Sequence, residues 1–538
     1  MVFEGMHGDG LRFVWPRPAK IMTLLIAATL LSGTLVSRPA VAVDDERTVT
    51  IADITDFHGH IEHGDWVETE VEQARRHNPG NTVFVSTGDL VGGSPYPSAA
   101  QQDRPTLDMA GIWGLTISAM GNHELDRGID DFNDRVAAPS NGIDWLAANV
   151  ERTERFSNLR DYTMRTVNGT RIAFVGAVTD HLSSVLSASI MKDVHLKDTA
   201  VRSVNRVADM LSDGDESNGE ADVVVALIHD DADIVARDET GLNGNIDLVY
   251  TGHTHANKTG RHTRSGAPII EAGCYGNTLA VQDLLVSGSG RNARVIVRDS
   301  FGVPLQRRSD AALRSAAATS LQTDTRVTDL VRAANSSAHA TGDVSVANVS
   351  QPYDKTAEQG RIALHTLIAD AALDGARRTS DGAGARVGFS NPGSLRTQAL
   401  DLDGDGKVTV REARDMMALQ FDNAVVTLDG AHVKRLVARQ WRHDRDGVWH
   451  RDALGVSSNV SADVTFSGRG VAVNALSIDG VPVDDAQPIL VTGNSFLLTG
   501  GDGFSDFLTG NDYRDTGVPY AQTLIDFLRA GGRLQSRS

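Results

Sequence analysis

The first half of the chain repeats one pattern: a short apolar run rich in β-branched residues, followed at once by a cluster of Asp, Asn and His. The runs occupy positions 48–56, 81–89, 114–128, 170–178, 221–231 and 246–256. Such runs predict β-strands, and helix-like segments such as 198–213 separate some of them. Alternating strands and helices predict an α/β layered domain. Ligands bind at the carboxyl ends of strands in such sheets, so we expect the polar clusters to converge on one site.

The chain changes character after position 307. Residues 308–340 are rich in Ala and Ser and carry no catalytic cluster, which predicts a connecting helix at a domain boundary. Residues 341–538 then combine a helical pattern at 361–378 with short strands and Gly-rich turns. We therefore expect a catalytic domain at 43–307, a linker at 308–340 and a second domain at 341–538.

The N-terminal segment predicts export. Two basic residues precede an apolar run at 21–36, and Ala40 and Ala42 fit a signal-peptidase site with cleavage after Ala42. The run is shorter than the ~20 residues that a transmembrane helix needs, so a membrane anchor is the weaker alternative. We expect a signal peptide at 1–42, a secreted or cell-envelope protein, and no stable membrane insertion.

The composition bears on the kind of ligand that the chain can bind. The net charge is -19 and no block of Lys and Arg stands out, which argues against a nucleic-acid polymer as ligand. Cys274 is the single cysteine, so no intramolecular disulfide can form, and we expect it to be a small core residue. The sequence leaves the oligomeric state open.

The polar clusters contain candidate ligands for two metal ions. Each cluster alone is a weak signal, because Asp, Asn and Gly also favour turns for backbone reasons. Together they supply the bridging carboxylate and the mixed nitrogen and oxygen ligands that two ions about 3.5–4 Å apart need. We assign Asp89 as the bridge; the ligands of the first ion are Asp56, His58 and His255, and those of the second are Asn122, His229 and His253. Imidazole with carboxylate suits zinc, manganese, iron, cobalt or nickel better than calcium.

Three further polar residues lie in the same stretch as Asp56 but outside this set. Alternation along the strand turns Asp53 away from the side that Asp56 faces. His60 and His63 follow the turn, and we expect them to be neighbours of the site or surface residues.

The clusters, in their order along the chain, resemble the motifs of the 5′-nucleotidase family of calcineurin-like metallophosphoesterases. The motifs read DFHGH, STGDLVGGSP, GNHELDRG, IHDDA and GHTHA. The resemblance implies an α/β fold, with an N-terminal four-layer α/β/β/α sandwich and a C-terminal α+β substrate-binding domain. It also implies the same metal ligands.

The resemblance adds two catalytic residues. His123 would stabilise the transferring phosphoryl group or protonate the leaving oxygen, and Asp126 would orient its imidazole. The spacing of three residues permits that contact. The chain departs from the family at Thr55, where Asn is usual, and at His255, where some members carry Gln.

Segments of the second half resemble the motifs of the family's substrate-binding domain. They read SNPGSLR, LQFDNAVV and NSFLLTGGDGFSDF. The substrate-binding residues implied by the resemblance are Asn391, Gly393, Arg396, Phe421, Asn423, Phe496 and Asp502. Arg396 would bind phosphate or ribose, the two phenylalanines would sandwich the base, and Asp502 would accept hydrogen bonds from ribose. Four departures leave the preferred base open: His365, Thr366, Pro392 and Ser394.

An acidic loop in the second half has the spacing of a calcium site. The run DLDGDGKVTVRE puts acidic residues at loop positions 1, 3, 5 and 12 and a Gly at position 6. The candidate ligands are Asp401, Asp403, Asp405, Lys407 and Glu412. No helix is predicted before the loop, and a solvated acidic turn is the alternative. A bound calcium ion would have a structural role.

These observations predict an exported phosphohydrolase that cleaves nucleoside 5′-monophosphates, and further nucleotides, with a metal-activated hydroxide as nucleophile. The same centre would suit a 2′,3′-cyclic-nucleotide phosphodiesterase with 3′-nucleotidase activity, or a hydrolase of nucleotide sugars or NAD. A secreted calcium-binding or adhesion module is the non-enzymatic alternative, against which the intact set of metal ligands argues.

Overall fold

The computed structural model describes residues 46–304, 324–349 and 354–532, apart from positions 238, 240, 445 and 469. The predicted signal peptide and much of the predicted linker lie outside these residues. An N-terminal and a C-terminal domain follow each other along the chain, and both mix strands with helices. The residue numbers at which we divide the chain stay predictions.

The N-terminal domain is built on two β-sheets packed face to face. The first sheet contains, in spatial order, the strands Arg294–Pro304, Thr278–Ser287, Arg47–Ile54, Thr82–Ser86, Ile117–Ala119, Asp144–Leu146 and Leu159–Arg160. The second contains, in spatial order, the strands Asn257–Arg261, Pro268–Ala272, Leu248–Thr251, Val223–His229, Thr170–Val178 and Tyr162–Val167. Buried side chains of both sheets, such as Ile51, Val85, Phe174 and Leu227, form one core between them.

Helices cover the outer faces of both sheets and complete the four-layer α/β/β/α sandwich. The described helices of this domain are Gly64–His77, Tyr96–Ala99, Arg104–Trp113, Gly128–Asp131, Ala188–Met191, Ala200–Met210 and Ala232–Val235. Val67 and Trp113 belong to the core on the first sheet, whereas Val204 and Val207 belong to the core on the second. The predicted fold class is confirmed.

Parallel pairing brings the carboxyl ends of the central strands to one edge of the sandwich. In the first sheet, Arg47–Ile54 runs parallel to Thr82–Ser86, which runs parallel to Ile117–Ala119. In the second sheet, Val223–His229 runs parallel to Leu248–Thr251. The loops that follow these strands therefore lie side by side.

The C-terminal domain is an α+β unit around a five-stranded sheet. In spatial order the sheet contains Gly455–Val456, Val387–Ser390, Pro488–Asn494, Asp422–Asp429 and Asn511–Pro519. The described helices are Glu358–Arg377, Val410–Met416, Gly430–Ala438, Ser495–Leu498 and Tyr520–Arg529. Smaller sheets pair Ser345–Asn348 with Lys407–Thr409, Arg442–His443 with Trp449–His450, and Val460–Ser467 with Gly470–Ile478 and Val481–Pro482.

The helix Thr325–Gly342 leads into the C-terminal domain while it packs on the N-terminal one. Asp324 caps its first turn by accepting a hydrogen bond from the backbone N–H of Arg326 at 2.9 Å. Val327 and Ala334 are buried in the core on the first sheet. None of the helices in the described parts of the chain has both the length and the apolar character needed to cross a membrane.

Candidate metal centre and substrate site

The predicted metal ligands lie in loops at the carboxyl ends of the central strands. Asp56 and Asp89 follow the strands Arg47–Ile54 and Thr82–Ser86, and His229 ends its own strand. The first two strands are parallel neighbours in the first sheet and the third belongs to the sheet packed against it, so residues far apart in the sequence meet at one edge.

A first group of ligands joins Asp56, His58 and His255. The Nε2 atoms of the two histidines are 3.1 Å apart, and His255 Nε2 is 3.4 Å from Asp56 Oδ1. Asp56 and His58 are fully buried, and His255 is partly exposed. One donor atom from each residue lies within 4.8 Å of the others, which is a spacing that suits a shared metal ion.

A second group joins Asp89, His229 and His253, again with donor atoms within 4.8 Å of one another. His229 Nε2 lies 3.1 Å from Asp89 Oδ2, and the same oxygen lies 3.7 Å from His58 Nε2 of the first group. Asp89 therefore faces both groups, as a bridging carboxylate would.

Hydrogen bonds fix the tautomers of two histidines. His58 Nδ1 lies 2.7 Å from the carbonyl of Gly92, and His229 Nδ1 lies 2.8 Å from that of Thr87. A carbonyl only accepts, so each Nδ1 donates and Nε2 is the ring nitrogen left for a metal ion. This is the usual arrangement of metal-binding histidines.

The carboxylate of Asp56 is also held in place. Thr55 Oγ1 donates to Asp56 Oδ2 at 2.6 Å, and the backbone N–H of His253 lies 3.0 Å from both carboxylate oxygens. Thr55 thus supplies a hydrogen-bond donor at the position where the family usually has Asn.

Five of the predicted ligands have left-handed backbone conformations. They are Asp56 with φ 50°, His58 with φ 47°, Asp89 with φ 52°, His253 with φ 75° and His255 with φ 58°. Residues with a Cβ atom rarely adopt this conformation, and it costs of order 1–3 kcal/mol each. Such strain concentrates at functional sites, where the surrounding structure maintains it.

The residues present fit bound metal ions. Asn122 Oδ1 is buried and has no hydrogen-bond partner within the described part of the chain, and His229 Nε2 is buried with the Asp89 carboxylate 3.1 Å away. Buried polar atoms without partners are rare and need an explanation, which a bound cation would supply. The donors are carboxylate, amide and imidazole, a mixture typical of divalent transition metals.

Burial and the close approach of charged groups set the protonation of the centre. Burial lowers the pKa of His58. Burial would raise the pKa of Asp89, but His229 and His123 outweigh it and hold that pKa well below its usual range. Burial would lower the pKa of His229, but the Asp89 carboxylate raises it to about 10. The site therefore favours positive charge beside Asp89, and a metal ion would replace that proton.

Glu124 is a site residue that the sequence reasoning missed. Its fully buried carboxylate accepts hydrogen bonds from the backbone N–H groups of Asp89 at 3.0 Å, Leu90 at 2.8 Å and Gly121 at 2.7 Å. Burial raises its pKa to about 7, and the Asp89 carboxylate adds to that rise. Its place beside Asn122 and His123 in the GNHE motif was the available signal.

The predicted pair His123 and Asp126 is in contact. His123 Nδ1 lies 2.9 Å from Asp126 Oδ2, across the short 3₁₀ turn His123–Leu125. Burial lowers the pKa of His123, but the carboxylates of Asp126 and Asp89 outweigh it and raise that pKa. His123 also offers a donor atom within 4.8 Å of those of His58 and Asp89, so it borders the metal centre.

Arg396 brings the C-terminal domain to this centre. Its guanidinium NH2 lies 3.4 Å from His123 Nε2, and its Nε is buried without a hydrogen-bond partner among the described residues. The predicted phosphate or ribose contact therefore lies beside the predicted catalytic histidine.

The two predicted base-stacking residues lie against each other. The rings of Phe421 and Phe496 are nearly parallel, with 5.2 Å between centroids and 9° between planes. A base between them needs about 7 Å, which is two van der Waals contact distances. The two rings are thus already in contact with each other, and a base can bind between them only if they separate.

The remaining predicted substrate residues divide into two sets. Asn391 Nδ2 donates to Asp502 Oδ2 at 2.7 Å, and Gly393 is so close to Asp502 that an added Cβ would lie 2.9 Å from Oδ2. Asn423 is different: it is fully buried, its Nδ2 donates to the carbonyl of Ala372, and its Oδ1 accepts from Thr492. Both ends of the Asn423 amide are therefore bound within the C-terminal domain, and the side chain lies away from solvent.

The acidic loop is partly assembled as predicted. Asp401, Asp403 and Glu412 each offer an oxygen within 4.8 Å of the others. Asp405 Oδ1 instead accepts a hydrogen bond from the backbone N–H of Lys407 at 2.8 Å, and neither residue belongs to that group.

The three remaining polar residues near Asp56 lie outside the two metal groups. Asp53 is buried and accepts a hydrogen bond from Thr87 Oγ1 at 2.7 Å. His60 stacks on Tyr275 with 4.1 Å between ring centroids, and His63 stacks on Trp66.

Two family models match the chain. The model of calcineurin-like phosphoesterases matches residues 49–257, and that of the 5′-nucleotidase C-terminal domain matches residues 336–509. The first match contains the predicted metal ligands. The second contains the predicted substrate residues and the acidic loop.

The chain is similar to bacterial proteins along most of its length. It is 23% identical to the cell wall protein Lmo0130 of Listeria monocytogenes, over 91% of this chain and 68% of that protein. It is 20% identical to the trifunctional nucleotide phosphoesterase protein YfkN of Bacillus subtilis, over 85% of this chain. The chain spans only 35% of YfkN, which is therefore a much longer protein.

A solved structure has the same fold. It is a putative 5′-nucleotidase of Staphylococcus aureus, 18% identical, with a TM-score of 0.69 over 91% of this chain and 98% of that one. At this identity, the likeness shows the arrangement of both domains and leaves substrate choice to the residues of the site.

Proposed function

Because the chain belongs to the 5′-nucleotidase family of calcineurin-like phosphoesterases, we propose that it is a dinuclear-metal phosphohydrolase that releases phosphate from nucleoside 5′-monophosphates. The observation that carries this proposal is the position of Asp89 between two groups of ligands, with Arg396 of the second domain beside them. One carboxylate between two imidazole-rich groups supports two ions rather than one.

The first ion would be held by Asp56, His58 and His255, the second by Asn122, His229 and His253, with Asp89 shared. When bound, the ions supply Lewis-acid chemistry: they make water acidic enough to act as a nucleophile near neutral pH, and they withdraw charge from phosphoryl oxygens. Zinc, manganese, iron, cobalt and nickel all accept this donor set.

The protein's own groups position the substrate and its proton. The Nδ1 atom of His123 donates to Asp126, so Nε2 points toward the reacting phosphoryl group and toward Arg396. Arg396 offers a planar fork of N–H donors that matches two phosphate oxygens. Phosphoryl transfer gains most from such positioning and from neutralised charge.

The nucleoside would be held by the C-terminal domain. Phe421 and Phe496 supply two parallel faces for a planar base, and Asp502 is an exposed carboxylate for ribose hydroxyls. Arg396 and the phenylalanine pair belong to the same domain, so they can hold the phosphate and the base of a single nucleotide.

A second substrate class has support from a relative. YfkN is named as a trifunctional nucleotide phosphoesterase, and the chain aligns with it over both domains. Cyclic nucleotides, 3′-nucleotides, nucleotide sugars and NAD therefore belong in the substrate panel, since the same metal centre serves each and only the pocket discriminates.

We also propose that the protein acts outside the cytoplasm, in the cell envelope or the medium. The basic and apolar pattern before Ala42 supports this, as does the similarity to a cell wall protein.

The test measures phosphate release from AMP, cyclic AMP isomers, UDP-glucose and NAD with added manganese or zinc, in the protein and in the Asp89→Asn variant. We expect turnover of AMP and a loss of about 1,000-fold or more in the variant, because removing even one transition-state donor costs 10²–10³. Circular dichroism shows whether the variant is folded.

Asp130→Asn is the matched control, because Asp130 is highly exposed in the same domain and forms only a surface ion pair with Arg155. It should leave turnover unchanged. Near-normal activity of a folded Asp89→Asn protein would refute the shared-carboxylate centre. Failure to hydrolyse any substrate of the panel would favour a binding module instead.

A further inference from the structure

The acidic loop at 401–412 forms a pocket of oxygen atoms outside the catalytic centre. Asp401, Asp403 and Glu412 contribute one carboxylate oxygen each, all within 4.8 Å of one another. The loop runs directly into the strand Lys407–Thr409 and the helix Val410–Met416, so its end is anchored in regular structure.

Asp401 shows that this pocket is more than a cluster of surface acids. The residue is 3% exposed, and its Oδ1 has no hydrogen-bond partner among the described residues. Its other oxygen, Oδ2, accepts a hydrogen bond from the backbone N–H of Gly406 at 3.1 Å. A buried carboxylate oxygen without a donor is costly, and a cation would remove that cost.

The part of the chain that the structure describes supplies no cation for these carboxylates. Within the described residues, no Lys, Arg or His forms an ion pair with Asp401, Asp403 or Glu412; Lys407 Nζ lies 3.6 Å from Asp405 instead. Three carboxylates within one pocket repel each other unless a positive charge lies among them.

We propose that the 401–412 loop binds one Ca²⁺ ion through Asp401, Asp403 and Glu412. The donors are all oxygen, which suits a hard cation and not the softer metals of the imidazole-rich centre. The spacing along the chain matches that of a calcium loop, and Gly406 has φ 81°, as the sharp turn at position 6 requires.

A Ca²⁺ ion at this site would also stabilise the segment that carries Arg396. Arg396 lies five positions before Asp401, and its backbone N–H donates to the carbonyl of Met416 at 2.9 Å. Asp415, on the same helix, accepts a hydrogen bond from the backbone N–H of Tyr96 in the N-terminal domain at 2.5 Å. A cation that joins Asp401 to Glu412 therefore fixes the segment carrying Arg396 to the helix that contacts the catalytic domain.

The test is calorimetric titration of Ca²⁺ into the whole protein with its catalytic centre preloaded with Mn²⁺. We expect one binding site with a Kd of about 10⁻⁵–10⁻³ M, the range of sensor and extracellular calcium sites, and much weaker binding of Mg²⁺. The midpoint of thermal unfolding should rise by about 2–4 °C with saturating Ca²⁺.

Asp403→Asn and Glu412→Gln remove charge and leave an oxygen acceptor in place. Each should weaken Ca²⁺ binding at least tenfold. Asp403 is exposed and Gln can still accept from the backbone N–H of Thr409, so both variants should fold. Asp215→Asn, in another exposed acidic turn, makes the same change of charge and should bind Ca²⁺ as the natural protein does.

Absence of saturable binding up to about 5 mM Ca²⁺, above the extracellular range, would overturn the proposal. Equal binding in both substituted variants, or equal affinity for Mg²⁺, would do the same. The calorimetric test does not depend on the proposed activity. If the Asp89→Asn variant, whose catalytic centre is damaged, still gives the heat of Ca²⁺ binding, the calcium site is separate from the catalytic centre.

A second, kinetic test rests on the proposed function. If Ca²⁺ positions Arg396, saturating Ca²⁺ should lower the KM for AMP about two- to fivefold with kcat unchanged, and Asp403→Asn should abolish that effect. An unchanged KM with intact Ca²⁺ binding would overturn the link to Arg396 and leave the ion site standing.

Discussion

Single residues of the centre depend on neighbours that are not assigned as metal ligands. Glu124 is the clearest case, because one carboxylate gathers backbone N–H groups from the loop at Asp89 and from Gly121. It fixes the shared carboxylate of Asp89 relative to Asn122. An added Cβ at Gly121 would also overlap the Asp89 carboxylate, which leaves room only for glycine there.

Replacing Glu124 by Gln should weaken metal binding about 10- to 100-fold, the usual cost of losing a partner that orients a ligand. The amide NH₂ group would face backbone N–H groups that need an acceptor. Metal content after dialysis, measured by elemental analysis with turnover of AMP, checks this. Glu72→Gln, at a half-buried surface carboxylate that pairs with Arg75, is the control. Full metal retention in Glu124→Gln would contradict the proposed role.

His365 shows how one buried residue makes stability depend on pH. Burial lowers its pKa to about 4, and it lies 3.3 Å from Ser390 Oγ. In the unfolded chain its pKa is about 6.5, so between pH 6.5 and 4 the unfolded state binds a proton that the folded state excludes. Stability is thus fully present above pH 6.5 and falls as the pH falls.

We expect His365→Asn to reduce this loss. Between pH 7 and pH 5, the natural protein should lose about 2 kcal/mol more stability than the variant. Urea unfolding at both pH values measures the difference. His339→Asn, at an exposed histidine, should change the pH dependence little. Parallel pH profiles for the natural protein and His365→Asn would count against the buried neutral imidazole.

At the scale of strands and loops, the sequence predicts which polar clusters converge on one site. It cannot predict the distances between their side chains. Asp89 follows the strand Thr82–Ser86 of the first sheet and His229 ends the strand Val223–His229 of the second, so it is the packing of the two sheets that brings these ends together. The shared position of Asp89 needs a geometry of a few ångströms, which no spacing in the sequence encodes. The family resemblance supplied that assignment, and the structure supplies the distances.

The C-terminal domain was harder to predict because its motifs consist of ordinary core residues. Asn423 fits the family motif, yet its amide bonds only Ala372 and Thr492. Phe421 and Phe496 also fit, and here the rings do meet. Whether such a residue packs in the core or faces the substrate depends on its contacts with other segments of the chain. A sequence motif does not contain that information.

The contribution of the stacked phenylalanines to substrate binding can be tested by substitution. Phe496→Leu should raise the KM for AMP about 5- to 100-fold, because stacking on one base contributes ~1–3 kcal/mol. Turnover of p-nitrophenyl phosphate, which has no nucleobase, should change little, and steady-state kinetics on both substrates measures the contrast. Phe466→Leu, at an exposed ring of the same domain, is the control. Equal losses on both substrates would instead indicate a folding defect.

At the scale of the whole molecule, the two domains share one site. Arg396 and His123 are 273 positions apart and 3.4 Å from each other. A second contact across the domains joins Arg127 Nε to Gln420 Oε1 at 2.7 Å, one residue before Phe421. The catalytic and the substrate-binding residues therefore work as one unit.

Arg396→Lys should lower kcat/KM for AMP about tenfold or more, because a single ammonium cannot replace the planar fork of donors on phosphate. The metal content should stay unchanged, since Arg396 is no ligand. Arg127→Lys, at the other contact between the domains, should cost far less. Kinetics that are the same for both variants would show that Arg396 only joins the domains.

The left-handed backbone of the five ligand positions limits which residues can replace the ligands. Gly, Asn, Asp and His adopt such a conformation more readily than other residues. A β-branched or bulky replacement of His58, His253 or His255 would therefore strain the backbone in addition to removing an imidazole. Each of these positions thus constrains the backbone and the metal donor at once.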